Sequence, residues 1–134
     1  MAAAHAAGIR VVPLVGPSSL LLALMASGMN GQSFAFHGYL PVPATERAVA
    51  LRSLEEESRA HQRAQLFIET PYRNAAMIKS LGEALRGDTQ VVVACDLTLA
   101  TETIERRTAA AWGKDDATRF AKRPAMFVLQ ASTR

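Results

Sequence analysis

The chain carries one cysteine, Cys95, in 134 residues, so no internal disulfide can form. A lone thiol suits a reducing, cytoplasmic setting. Histidine is also scarce. His5, His37 and His61 share no close spacing with one another or with Cys95, which argues against a metal site. There is no Walker A sequence and no G-x-G-x-x-G run. Ser18 and Ser19 lie in no G-x-S-x-G elbow, so a hydrolase reading is weak. The opening Met1-Ala2-Ala3-Ala4-His5 lacks the basic segment of a secretory signal. The longest apolar stretch, 11–26, is broken by Pro13, Gly16, Pro17, Ser18 and Ser19, so no transmembrane span is expected. Aromatic residues are few: five Phe, two Tyr and one Trp. No basic–aromatic strip for direct RNA binding is visible.

What is present describes one globular domain. Hydrophobic residues make 49% and charged residues 20%, enough to bury a core without disorder. The net charge of +3 permits an anionic ligand or RNA but demands neither, because Lys and Arg are scattered.

Residues 2–7 are alanine-rich and helix-prone, with Gly8 as the stop, and 9–14 read as a strand. A helix that short does not stand alone. Residues 1–15 are therefore expected to be the tail of an upstream unit, or else a loose arm. From Gly16-Pro17-Ser18-Ser19 an apolar helix is expected to run to Gly28, buried on several sides. Residues 34–40 are strand-like and closed by Pro41 and Pro43. A charged helix follows over 44–61. Ala48, Leu51 and Leu54 form its apolar stripe, and Glu46, Arg52, Glu55, Glu56, Glu57 and Arg59 its solvated face. Further on, 91–95 read as a central strand, 103–108 as a polar edge strand, 109–121 as a helix weakened by Gly113 and Asp115-Asp116, and 126–129 as a last strand. The pattern is α/β: a single three-layer domain with a mixed sheet of about five strands flanked by helices.

One corner concentrates chemistry. Leu66-Phe67-Ile68 suits a buried strand. Glu69 would stand at its C-terminal end, where open α/β sheets bind ligands. Thr70 can cap, and Pro71 can open, a helix running to about Arg86. Arg73 in a first helical turn faces the positive end of the helix dipole. It is tolerated if it pairs with Glu69 or meets an anionic ligand, and both readings stand. Two more loops follow strands, Val15-Gly16-Pro17-Ser18-Ser19 and Asp96-Leu97-Thr98. Together the three loops could hold a polar small molecule, or be ordinary βα turns.

The order and content of these loops resemble a known family. Leu14-Val15-Gly16-Pro17-Ser18-Ser19, residues 34–41, Ile68-Glu69-Thr70-Pro71-Tyr72-Arg73 and Val91-Val92-Val93-Ala94-Cys95-Asp96-Leu97-Thr98 are similar to segments in the C-terminal half of the tetrapyrrole (corrin/porphyrin) methylases. The ribosomal RNA small-subunit cytidine 2′-O-methyltransferase branch looks nearest, where the segments read about P-G-P-S-A, F-x-G-F-L-P, E-S-P-H-R and A-R-E-L-T-K. The resemblance covers the chain from about Val11 onward. It implies S-adenosylmethionine-dependent methyl transfer by two α/β domains with the cofactor between them, usually in a homodimer. On that basis 1–15 would be the tail of an N-terminal domain and 16–134 the C-terminal domain. Cofactor contacts would come from Ser18 and Ser19, from Glu69, Thr70, Pro71 and Tyr72, and from Cys95, Asp96, Leu97 and Thr98. Arg73 would face the substrate. No catalytic residue is assigned, because the resemblance puts those groups in the other domain.

The sequence also departs from that branch. Leu99 stands where the branch has Lys, and Cys95-Asp96 replaces Arg-Glu. Two cations useful for an RNA backbone are thus missing from this loop. The methyl acceptor is left open between RNA and a tetrapyrrole-like compound. A non-catalytic dimerisation or binding module of the same fold is the alternative from another class.

Overall fold

The computed structural model describes residues 1–133. Five strands form one mixed sheet in the order β1-β2-β5-β3-β4. They are β1 (Phe34–Tyr39), β2 (Ala64–Glu69), β3 (Gln90–Cys95), β4 (Thr103–Thr108) and β5 (Ala125–Gln130). β1 and β2 are parallel, and the other pairs are antiparallel. The C-terminal ends of β1, β2 and β3 therefore share one sheet edge with the starts of β4 and β5.

Strand alternation sorts the core onto two faces. Phe67, Val91, Val93, Cys95, Phe127 and Leu129 enter one cluster, packed by Leu51, Leu54, Met77, Ile78 and Leu81 of helices α3 (Ala44–His61) and α4 (Asn74–Ala84). Phe67 and Phe127 stack there with ring centroids 5.3 Å apart. Ala64, Leu66, Val92, Ala94, Met126 and Val128 enter the other cluster, packed by Ala23 and Leu24 of α2 (Ser19–Ser27). Helix, sheet and helices make the expected three layers.

Several expectations need correction. Residues 9–14 form no strand: nothing among the described residues pairs with them, and Leu14 is 90% exposed. Their β-branched side chains find no partner strand among the described residues, and the helix before them, α1 (Ala2–Ala6), is short. α2 buries Ala23, Leu24 and Ser27 alone, with Leu21 and Met25 outside, so it is packed on one face rather than on several. β3 pairs on both sides and is buried, as a central strand should be, and β5 stands beside it in the middle of the sheet. Glu55 is buried rather than solvated: it pairs with Arg59 at 2.8 Å and accepts from the Arg86 amide at 2.9 Å. The 109–121 helix breaks into α5 (Ala109–Trp112) and a 3-10 turn, Ala117–Phe120. Asp116 causes the restart, since its carboxylate accepts from the Thr118 amide and satisfies a new N-terminus.

The β2–α4 corner is also tighter than expected. Pro71–Arg73 is a 3-10 turn before α4, and the Thr70 side chain caps nothing. Its hydroxyl turns back to Glu69 Oε1 at 3.3 Å.

Candidate active site

The sequence places its ligand-facing loops at the C-terminal ends of strands, and a cleft of about 390 Å³ opens there. Its floor is a cross-strand row on the α2 side of the sheet. Ile68 of β2 registers with Met126 of β5, which registers with Ala94 of β3. Leu97, Leu99 and Pro71 add apolar rim, while Ser19, Tyr39, Glu69 and Asp96 add polar groups. A mostly apolar hollow with a few convergent polar groups is the usual form of a small-molecule site. A larger, polar groove of about 630 Å³ sits at the opposite end of the sheet, around Gln62, Gln90 and Gln130. It lies away from the strand ends where open α/β sheets bind ligands, so we place the site in the smaller cleft.

Two carboxylates flank the start of β5. Glu69 and Cys95 both register with Ala125, and Asp96 follows Cys95. Each carboxylate is tied to an arginine through one oxygen. Glu69 Oε1 accepts from the Thr70 amide at 2.7 Å and from Arg73 Nε at 3.0 Å, while Oε2 is buried without a partner. Asp96 Oδ2 accepts from Arg123 Nε at 2.8 Å and from the Thr101 hydroxyl at 2.9 Å. Arg123 holds the Asp96 carboxyl below the usual carboxylate range, so it stays an anion at neutral pH.

The loop after β3 is strained. Asp96 and Thr98 have φ of 52° and 72° without being glycine. For a β-branched residue this is a true outlier, of the kind that collects at functional sites. Thr98 is retained by its amide, which donates to Glu102 Oε1 at 2.9 Å.

Of the residues expected to hold a cofactor, Ser19, Glu69, Pro71, Asp96 and Leu97 line the cleft. Ser18, Thr70, Tyr72 and Thr98 neighbour that lining but are not part of it. Cys95 is fully buried on the α4 side, and burial pushes its thiol up to about 11, so its side chain offers a ligand nothing. Arg73 pairs with Glu69, and its Nη1 donates to the Tyr72 hydroxyl at 3.1 Å. The ion-pair reading of that corner is thereby realised.

Sequence reasoning missed Arg123, Thr101, Ala94 and Met126. The floor residues carried a signal, namely alternate positions of buried strands. Arg123 carried none, because it reaches Asp96 across 27 residues of chain.

The mixed sheet, with a cleft at the C-terminal ends of its strands, has counterparts among solved proteins. Two solved methyltransferases share the fold. The crystal structure of the methyltransferase CobJ superposes with a TM-score of 0.58 at 17% identity, covering 98% of this chain and 55% of that one. The cobalamin biosynthetic enzyme cobalt precorrin-4 methyltransferase, CbiF, gives 0.57 at 18%, covering 96% and 55%. Sequence relatives are nearer. The chain is 37% identical over 99 residues to ribosomal RNA small subunit methyltransferase I of Vibrio cholerae, covering 74% of this chain and 33% of the relative. The Mesorhizobium japonicum protein of the same name is 39% identical over 95 residues, covering 71% and 31%. That of Escherichia coli O157:H7 is 35% identical over 116 residues, covering 84% and 39%. No family model matches. The chain belongs to the tetrapyrrole methylase family and corresponds to its C-terminal domain. It spans about a third of the length of the curated relatives it matches.

Proposed function

We propose that this chain supplies one wall of the cofactor and substrate cleft of an S-adenosylmethionine-dependent methyltransferase. The observation that carries the reading is the cleft itself, with its Ile68–Met126–Ala94 floor at the strand ends and the Asp96 carboxylate at the rim. The fit is chemical. A flat apolar floor suits a nucleoside base, and fixed acceptors suit its amine and hydroxyl donors. The bound cofactor would supply a sulfonium-activated methyl group. The protein's task is then to align an acceptor with it and exclude water.

In this reading residues 1–15 connect to a further α/β domain that closes the cleft and brings the reacting groups. The proton an acceptor hydroxyl loses on methylation would pass to a base in that further domain, and no residue of this chain is assigned that role. Ser19, Tyr39, Asp96 and Leu97 bind and orient, while Arg73 and Arg123 hold the two carboxylates in place. RNA is the acceptor class favoured by the relatives' name, though Leu99 and the Cys95-Asp96 pair leave the β3 loop without branch cations. A homodimer in the cytoplasm completes the assignment. The test is transfer of labelled methyl groups from S-adenosylmethionine to small-subunit ribosomal RNA by the full-length protein. Incorporation into RNA supports the reading. Incorporation into a corrinoid but not RNA would move the acceptor class, and none into either would contradict methyl transfer.

A further inference from the structure

The Asp96 carboxylate has one oxygen spoken for and one open. Its side chain is only 10% exposed, lines the cleft, and is held by Arg123. Oδ2 takes both the Arg123 and the Thr101 hydrogen bonds, and Oδ1 has no partner among the described residues. The holder is itself immobilised. Arg123 Nη2 donates to Thr101 O at 2.8 Å and to Thr103 Oγ1 at 2.9 Å, and Nη1 to Arg119 O at 3.3 Å. The guanidinium is thus committed and does not turn toward a ligand. The strained backbone at Asp96 keeps this arrangement at the mouth of the cleft.

We propose that Asp96 Oδ1 is the acceptor for a neutral N–H or O–H donor of a nucleoside seated in the cleft, making Asp96 a specificity-determining residue. The proposal rests on the cofactor reading above. An ionised carboxylate can only accept, so the ligand atom it meets must donate. Arg123 already balances its charge, so a hydroxyl or aromatic amine suits the site better than an ammonium. The apolar floor beside it favours the flat body that carries such a donor. A site built to hydrogen-bond a donor discriminates strongly against an analogue lacking it, because its own polar group is then left unpaired.

The test uses amide chemical shifts of the labelled chain with millimolar adenosine, 2′,3′-dideoxyadenosine and purine riboside. The two analogues lack the ribose 2′- and 3′-hydroxyls and the exocyclic amine respectively, and all three ligands share the 5′-hydroxyl. Adenosine is expected to shift the Leu97, Leu99 and Ala125 amides saturably. One analogue should bind at least fivefold more weakly, which identifies the donor. Asp96→Asn supplies the second arm. Arg123 requires an acceptor, so the new amide keeps its oxygen there and turns its NH2 to the cleft. Adenosine should then weaken at least fivefold, while the analogue lacking the contacted donor changes less than twofold. Equal binding of all three ligands to the unaltered chain would mean that Oδ1 meets neither the amine nor the 2′- or 3′-hydroxyl, and would overturn the inference even if the variant fails to fold. A uniform loss across all three in Asp96→Asn would also overturn it, by showing a merely structural role. If adenosine shifts none of the cleft amides, the nucleoside reading falls and this inference with it.

Discussion

Trp112→Ala is expected to lower stability by about 3–5 kcal/mol, the range for removing a large buried aromatic side chain. Trp112 is 1% exposed at the end of α5, and its indole N–H donates to Val91 O at 3.0 Å. Its ring meets Phe120 edge-on at 5.7 Å. Arg107 and Arg119 lie over the same ring at 5.0 and 5.9 Å, and Arg119 pairs with Glu105 and Asp115. Removing the indole thus empties a core site and undercuts the arginine layer above it. Urea unfolding followed by circular dichroism measures the loss as a lower midpoint. Trp112→Phe separates the terms, keeping ring area but leaving Val91 O without that donor, at about 1–3 kcal/mol. The damage is expected to reach the cleft. The turn after Phe120 carries Arg123, so loss of its support should release Asp96 and broaden the amides of the 96–99 loop.

Gly82→Ala is expected to be the other severe change. A methyl group there would stand 2.3 Å from Gly113 Cα and 2.9 Å from Gly113 N, both backbone atoms with no rotamer to give way. Alanine improves helix propensity by about 1 kcal/mol at an ordinary helical position. Overpacking a tight contact costs about 1–3 kcal/mol, and a backbone clash lies at the top of that range or above. The clash wins, and a net loss of about 2 kcal/mol or more should appear in the same unfolding assay. Gly87→Ala is the control, since its methyl group would meet only the Ala110 side chain at 3.4 Å. Little change is expected there. Gly82→Ala and Trp112→Ala strain neighbouring residues of one helix contact, so their effects should not add.

The parts of this fold that were legible in the sequence are those with a strong period or a strong local rule. The 44–61 helix was readable to its ends because Leu51 and Leu54 recur on one stripe between Pro43 and a basic last turn. The strand around Phe67 and that around Val92 were readable as continuous apolar runs, as strands covered on both faces require. What failed depended on partners far away in sequence. Residues 9–14 have strand-like side chains, but a strand needs a neighbour to receive its backbone hydrogen bonds. Gly113 and the Asp116 turn broke a helix because the chain there closes against α4 rather than continuing. Glu55 looked like one more solvated acid until Arg59 and the Arg86 amide enclosed it.

The site divides along the same line. The strand-end loops were identifiable because a polar residue after an apolar run is local information. Their roles were not, since the Asp96–Arg123 pair joins two loops through the sheet. Cys95 shows the limit most plainly. It adjoins the loop in sequence, but strand alternation turns it to the opposite face, into the core with Phe127 and Met77.

The most direct measurement is calorimetry of S-adenosylmethionine against two proteins: this chain alone, and a two-domain protein that joins it to the further α/β domain proposed above. With one wall of a two-walled cleft, the chain alone is expected to give no resolvable heat at micromolar concentrations, and the two-domain protein to bind one cofactor per chain saturably. Tight binding by the chain alone would show the site to be complete here and contradict the shared cleft. Absence of binding by either would contradict the cofactor assignment itself.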